Sequence, residues 1–425
     1  MAQQAERIGG GIERAVAESP RWTSGWAPRL NSPLGVALLT LVAYGVFTLV
    51  RLHSFGDDVS RFVMAGDAFI PARVAARVGL SVKLHSGGYD GQFYYLLALN
   101  PFSPHAALPG ARFDLPAYRA QRILYPALVW ALSLGGRPAL VPTLLVLVNL
   151  AAIVAVGALG AQLARRAGVA PLWGVVVAFY PGLLLSLARD LSEPLALACA
   201  LGGLLCALDR RWGWTALLLS LAVLARETTA LFALALLVAG LLARLTPLPT
   251  VRVPAIRLVA REDWRGATLA GLAPLLVAVG WQVTLLLRWG KFGALAAGSN
   301  NLGVPLLGLV EGFVAWSVLW PPLLQLMQYA DVAYLLGLAE VTRRMLWRQR
   351  RADVLALAWG LYVALTLALS VYVWDYYWNF LRGAIELGIV SLLLLLRASP
   401  RLRRVALTAT LALWLLTFIA SAPLV

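Results

Sequence analysis

Of the 425 residues, 60% are hydrophobic and 13% charged, with a mean hydropathy of +0.77, whereas an ordinary soluble domain carries roughly 25% charged residues. This composition excludes a soluble globular fold and predicts a polytopic membrane protein. The net charge of +16 does not point to nucleic acid, because the arginines fall in short clusters between apolar runs and form no continuous stripe. The apolar runs are long and do not alternate in period two, so helices are expected and a barrel is not.

In chain order, crossings are expected at about 33–52, 139–163, 172–188, 194–208, 212–226, 229–243, 266–287, 323–341, 354–374, 383–396 and 404–421. The fold class is therefore all-α and polytopic, with about eleven transmembrane helices, several of them short against a hydrocarbon core of ~30 Å. Polar and mixed residues precede the first run, which reads as a retained anchor without a cleavable leader. A cytoplasmic N-terminus sends Arg165-Arg166, Arg210-Arg211, the stretch Arg244 to Arg265, Arg343 to Arg351 and Arg397 to Arg404 to the same side, as the positive-inside rule requires. The expected organisation is a cytoplasmic segment 1–32, a transmembrane module 33–243 containing a long outer loop 53–138, a cytoplasmic basic loop 244–265 and a C-terminal transmembrane region 266–425. Within the outer loop, Ile123 to Gly135 is apolar but short and carries Pro126 in its first turn. It is expected to lie along the interface or re-enter.

Cys199 and Cys206 lie on one expected helix, roughly 10 Å apart along its axis, too far to pair with each other. His53, His85 and His105 lack metal-ligand spacing, so no metal site is expected.

The polar chemistry gathers in the outer loop and at the outer helix tips. In FGDD, Asp57 and Asp58 follow the first crossing directly. Repulsion and a low-dielectric neighbourhood should raise one of the two pKa values, which suits a general base; a solvated pair capping the turn at Ser60 is the equal alternative. In GYDGQFYY, Gly88 to Tyr95, the glycines let the backbone turn and approach a ligand. Asp90 and Gln92 supply polar groups, and Tyr89, Phe93, Tyr94 and Tyr95 supply flat faces that suit a sugar, or else an interfacial aromatic belt. Arg119 and Arg122, with Arg189 and Arg226 at the outer tips, offer guanidinium forks suited to phosphate. Pairing with Asp190, Glu193 and Glu227 is the simpler account of any one of them.

An acidic pair after the first crossing, an aromatic-flanked Asp in a long outer loop, a turn at Pro181-Gly182, and then RDLSEP and LARET together resemble the GT-C superfamily of membrane glycosyltransferases. More narrowly, they resemble a family of bacterial membrane proteins linked to cell-surface glycopolymer formation. The likeness covers roughly residues 50–230. It implies a polyprenyl-phosphate sugar donor, a glycan or glycolipid acceptor, inversion of configuration, and a site on the extracytoplasmic face of a bacterial plasma membrane. It also implies a catalytic acid in the first outer loop, Asp58 or Asp57, with Asp58 preferred because VSRF follows it. GYDGQFYY and Ser192-Glu193 match segments of mannosyltransferase members. No cofactor is expected, and the lack of an Asp-x-Asp motif leaves dependence on a divalent cation open. The rival class is a transporter or flippase for lipid-linked sugars, with which Asp331 and Glu386 inside helices are compatible; a non-catalytic glycolipid-binding scaffold is a third.

Overall fold

The first apolar run becomes a helix because Ser32 caps it, its side chain accepting from Gly35 N at 3.0 Å, and Pro33 opens the first turn. This helix, α1 (Pro33–Ser54), buries Val36, Thr40, Tyr44, Phe47 and Arg51 along one stripe. Leu34, Leu38, Val42 and Leu49 stay exposed on its other sides. Such an apolar face has no stable partner but hydrocarbon.

The computed structural model describes residues 30–103, 105–245, 259–298, 301–319, 322–349, 353–375 and 379–421. Most of the expected segment 1–32 and residues 246–258 of the expected basic loop lie outside them. Between α1 and the next long helix, residues 53–138 build a small unit of short helices: α2 (Gly91–Leu99), α3 (Pro116–Ala120) and α4 (Leu124–Leu132). Ala65–Gly66 and Val82–Lys83 pair as a short parallel ladder. This unit has its own core, in which Val63, Ile70, Phe93, Tyr95, Tyr125 and Val129 pack together. At nine residues, α4 spans only about 13 Å, so Ile123 to Gly135 holds no membrane-crossing helix.

Apart from single-turn helices, the helices that follow are α5 (Val141–Arg166), α6 (Pro181–Leu187), α7 (Glu193–Leu208), α8 (Trp212–Ala225), α9 (Ala230–Leu245), α10 (Trp264–Trp289), α11 (Leu307–Leu319), α12 (Pro322–Gln349), α13 (Val354–Leu367), the short α14 (Asn379–Gly383), α15 (Ile385–Leu395) and α16 (Pro400–Ser421). Among the described residues, five helices are long and apolar enough to cross a membrane: Pro33–Ser54, Val141–Arg166, Glu227–Leu245, Arg261–Trp289 and Pro400–Ser421. Five shorter apolar helices accompany them. The protein is thus an all-helical membrane protein, in which five helices of spanning length among the described residues stand beside the expectation of about eleven.

Two expected crossings are interrupted. The run 172–188 breaks before Pro181, where Tyr180 is extended, because a residue preceding proline avoids the helical region. The run 354–374 stops after Leu367, where Gly303 N donates to Ala368 O at 2.8 Å and Ser370 N to Asn301 O at 3.0 Å. The run 383–396 holds α15 unbroken, with the short α14 ending just before it and Ala384 between them. In the other direction, α12 runs on to Gln349, and α11 falls where no helix was expected.

Helices α9 and α10 touch at backbone distance. A Cβ added to Gly271 would lie 2.4 Å from Leu237 N, the small-residue contact by which membrane helices pack without a hydrophobic drive. The arginine clusters meet at one end of the bundle, where Arg166 pairs with Asp209, Arg210 with Glu262 and Asp263, and Arg397 with Asp353. The 53–138 unit sits at the opposite end, since Tyr125 donates to Leu145 O near the start of α5.

Candidate functional site

The position of Asp90 follows from its glycines. Gly88 has φ +64, and a Cβ there would lie 2.5 Å from Gly66 N; at Gly91 a Cβ would lie 2.5 Å from Arg189 O. The close approach these glycines permit is to the chain's own backbone, so the expectation that they serve a ligand is corrected. The same packing turns α2 inward, and all nine of its residues are buried. Tyr94 and Tyr95 therefore stand in the core and present no ring face, which corrects their expected sugar-stacking role. Gln92 likewise braces the loop, accepting from Gly66 N at 3.1 Å and donating to Gly87 O at 2.7 Å. Tyr89 remains partly open. Its hydroxyl donates to Asn379, and the guanidinium of Arg189 stands 4.6 Å from its ring centroid.

Asp90, at the start of α2, accepts from Arg119 at 2.6 Å through one oxygen and from Arg382 at 2.9 Å through the other. Burial pushes its carboxyl up, but Arg119, then Arg382 and Arg122, outweigh burial and hold it well below the ordinary carboxylate range. Arg119 is oriented from behind by Asp114, at 2.9 Å and 2.5 Å. Arg122 grips Glu227 with two hydrogen bonds, 2.9 Å and 2.6 Å. Behind these, Arg226 is almost fully buried. It donates to Glu193, to Glu386 and Thr228 at 2.7 Å and 2.9 Å, and to the carbonyl of Arg382 at 3.1 Å.

Asp90, Arg119, Arg122, Arg226, Glu227 and Arg382 line one cavity of about 580 Å³. Leu231, Leu302, Leu365 and Leu369 form apolar wall on the same cavity. Arg119, Arg122 and Arg382 face the carboxylates of Asp90, Asp114 and Glu227 in this lining, while Arg226 is matched from behind by Glu193 and Glu386. A smaller recess of about 270 Å³ over Gly88 and Tyr89 shares Asp90, Asp114, Arg119, Tyr372 and Asn379 with it. Asp90 thus stands at the partition between a charged, leucine-walled chamber and a polar one.

The other candidates fall elsewhere. Asp58 does not line either space. It caps the turn Val59–Val63, accepting from Ser60 N at 2.9 Å and from the Ser81 hydroxyl. Burial raises its carboxyl, but the bonds from Ser81 and Ser60 and the charge of Arg61 outweigh it and lower the pKa. Asp58 is therefore not a raised carboxyl of the expected pair, and the capping alternative describes its contacts. Asp57 is exposed, with φ +63 and a His53 nitrogen 3.9 Å away. Asp190 is buried beneath the site with φ +51, and burial pushes it well above the ordinary range, only partly countered by Arg51. Among the described residues, no three His, Cys, Asp or Glu side chains converge to hold a metal ion. Reasoning from sequence missed Arg382, Asp114 and Asn379 as members of the site; the signal for Arg382 was its place at the end of an outer tip. Glu386, which the sequence offered as compatible with a transporter, lies in the first turn of α15 and pairs with Arg226 in this cluster. Comparison with protein-family models, with curated proteins and with solved structures returned no match.

Proposed function

We propose that the protein is a membrane glycosyltransferase that moves a sugar from a polyprenyl-phosphate donor to a glycan or glycolipid acceptor at the extracytoplasmic face of a bacterial plasma membrane. The observation that carries this reading is the cavity in which Arg119, Arg122 and Arg382 converge beside leucine walls. A ligand charged at one end and hydrocarbon at the other meets both surfaces. Arg226 is saturated by Glu193 and Glu386, so phosphate recognition falls to the other three arginines.

In the proposed reaction the acceptor hydroxyl gives its proton to the Asp90 carboxylate, and its oxygen forms the new bond to the anomeric carbon. The bond from that carbon to the phosphate oxygen breaks, its electron pair stays on the phosphate, and configuration inverts. The arginines stabilise the charge that develops there. Asp90 is a poor base while Arg119 and Arg382 hold it. Each guanidinium that turns to the donor phosphate restores its basicity, so proton acceptance is coupled to donor binding. Glu386 belongs to the Arg226 cluster, which removes one of the two carboxylates that favoured a transporter.

The test is transfer from a panel of radiolabelled polyprenyl-phosphate sugars to membrane acceptors by the detergent-purified protein. Asp90→Asn should lower turnover by ~10²-fold or more, while Asp58→Asn keeps it. The reverse order would return the base to Asp58, and no transfer by the wild type from any donor would end the enzymatic reading.

A further inference from the structure

A second cavity, of about 480 Å³, opens at the arginine-rich end of the bundle. It is separated from Asp90 by the length of α7, whose 16 residues measure about 24 Å. Its floor is hydrocarbon, including Leu204, Leu236, Leu355 and Leu393. Its rim carries Arg166, Arg210 and Arg397 together with Asp263 and Asp353. The signs alternate around the rim because each arginine has an acidic neighbour: Arg210 lies 3.0 Å from Asp263, Arg397 pairs with Asp353, and Arg166 with Asp209. These groups are half-buried and not sealed off, with side-chain exposures of 57% for Arg210 and 40% for Arg397. Trp212 also lines the space, and tryptophan is enriched at headgroup depth.

We infer that this cavity binds a membrane phospholipid with a primary ammonium headgroup, of the phosphatidylethanolamine type. The leucine floor takes acyl chain, as leucine-lined grooves between membrane helices can. The guanidinium groups suit the phosphate. The carboxylates of Asp263 and Asp353 suit an ammonium with three donors, which a quaternary choline lacks. A rim of alternating sign meets a zwitterion without displacing any of its own carboxylates. The three arginines are already paired with four carboxylates, Asp209, Glu262, Asp263 and Asp353, so an anionic headgroup would add negative charge where these pairs already carry one in excess, and a zwitterion would not.

Native mass spectrometry and thermal unfolding of the purified, delipidated full chain test this, with added phosphatidylethanolamine, phosphatidylcholine and phosphatidylglycerol of matched acyl chains. Phosphatidylethanolamine should bind about tenfold more tightly than the other two, the size of one good charged contact, and raise the melting temperature most. Asp353→Asn keeps the helix cap that Asp353 provides to Ala356 N at 3.0 Å and should erase the preference. Ala207→Phe, at the cavity wall, should weaken all three lipids while leaving every charge in place. Free phosphoethanolamine should fail to bind, because it lacks the chains that fill the floor. Equal binding of the three lipids, a preference for phosphatidylglycerol, or a preference unchanged in both variants would overturn the inference.

Discussion

Arg226→Gln should be a folding defect and not a phosphate-binding defect. Arg226 is 3% exposed and is the shared partner of Glu193 and Glu386, which are themselves fully buried. A unit charge pair with centres ~4 Å apart is worth about 4 kcal/mol at an effective dielectric of 20, and here one cation serves two carboxylates. Glutamine removes that attraction and leaves two buried negative charges facing each other, with only Arg382, 3.3 Å from Glu193, to answer them. Breaking a buried pair from one side costs about 3–5 kcal/mol, so Arg226→Gln should unfold at markedly lower temperature or denaturant in detergent. The triple variant Arg226→Gln, Glu193→Gln, Glu386→Gln should recover most of that loss, because no uncompensated charge remains. A native-like melt for the single variant, or no recovery in the triple, would refute the pairing and return Arg226 to the ligand.

Asp90 is held below its unfolded value near 4, so its ion pairs stabilise the fold fully above that pH and lose their contribution as pH falls towards the folded value. Asp90→Asn should therefore flatten the acid limb of a stability-versus-pH curve, and an unaltered limb would deny the Arg119 and Arg382 pairs their weight. Gly88→Ala should cost more than about 1 kcal/mol, because φ is +64 and the new Cβ would meet Gly66 N at 2.5 Å and Met64 O at 2.7 Å; a melt equal to the wild type speaks against the loop geometry. Single cysteines at Leu84, 59% exposed, and at Gly213, with nothing within 4 Å of a built Cβ, should label from opposite faces of sealed vesicles lacking the native cysteines. Labelling of both from one face contradicts the placement of the two ends.

The helices were legible where an apolar stripe and a local stop agreed, as in α1 behind Ser32-Pro33 and α7 between Ser192 and Arg210-Arg211. They were illegible where a tertiary contact ends a helix that composition would continue. Nothing local to Ala368 announces that its carbonyl pairs with Gly303 N, and hydropathy alone therefore carries the run on to residue 374. The arginine clusters were legible as a set because membrane insertion selects on them one loop at a time; the structure joins three of them through Asp209, Asp263 and Asp353, which no rule of charge counting supplies.

For the site, residue type was legible and orientation was not. GYDGQFYY drew attention through one carboxylate among rings, and Asp90 does face the cavity. Its neighbours Tyr94 and Tyr95 do not, because the helix starting at Gly91 turns them into the core. Asp58 had the better position along the chain and the worse one in space: Ser60 and Ser81 occupy both its oxygens, so a proton taken there would break a cap. The pairing Asp90–Arg382 spans 292 residues, and no periodicity carries information over that distance. What a sequence can offer is an inventory of charges at helix tips that must be neutralised somewhere. The cavity is where several of these charges are gathered, Arg119, Arg122 and Arg382 facing Asp90, Asp114 and Glu227 while Arg226 is matched from behind by Glu193 and Glu386, so an anion would bind there only by drawing guanidinium groups away from the carboxylates that now hold them.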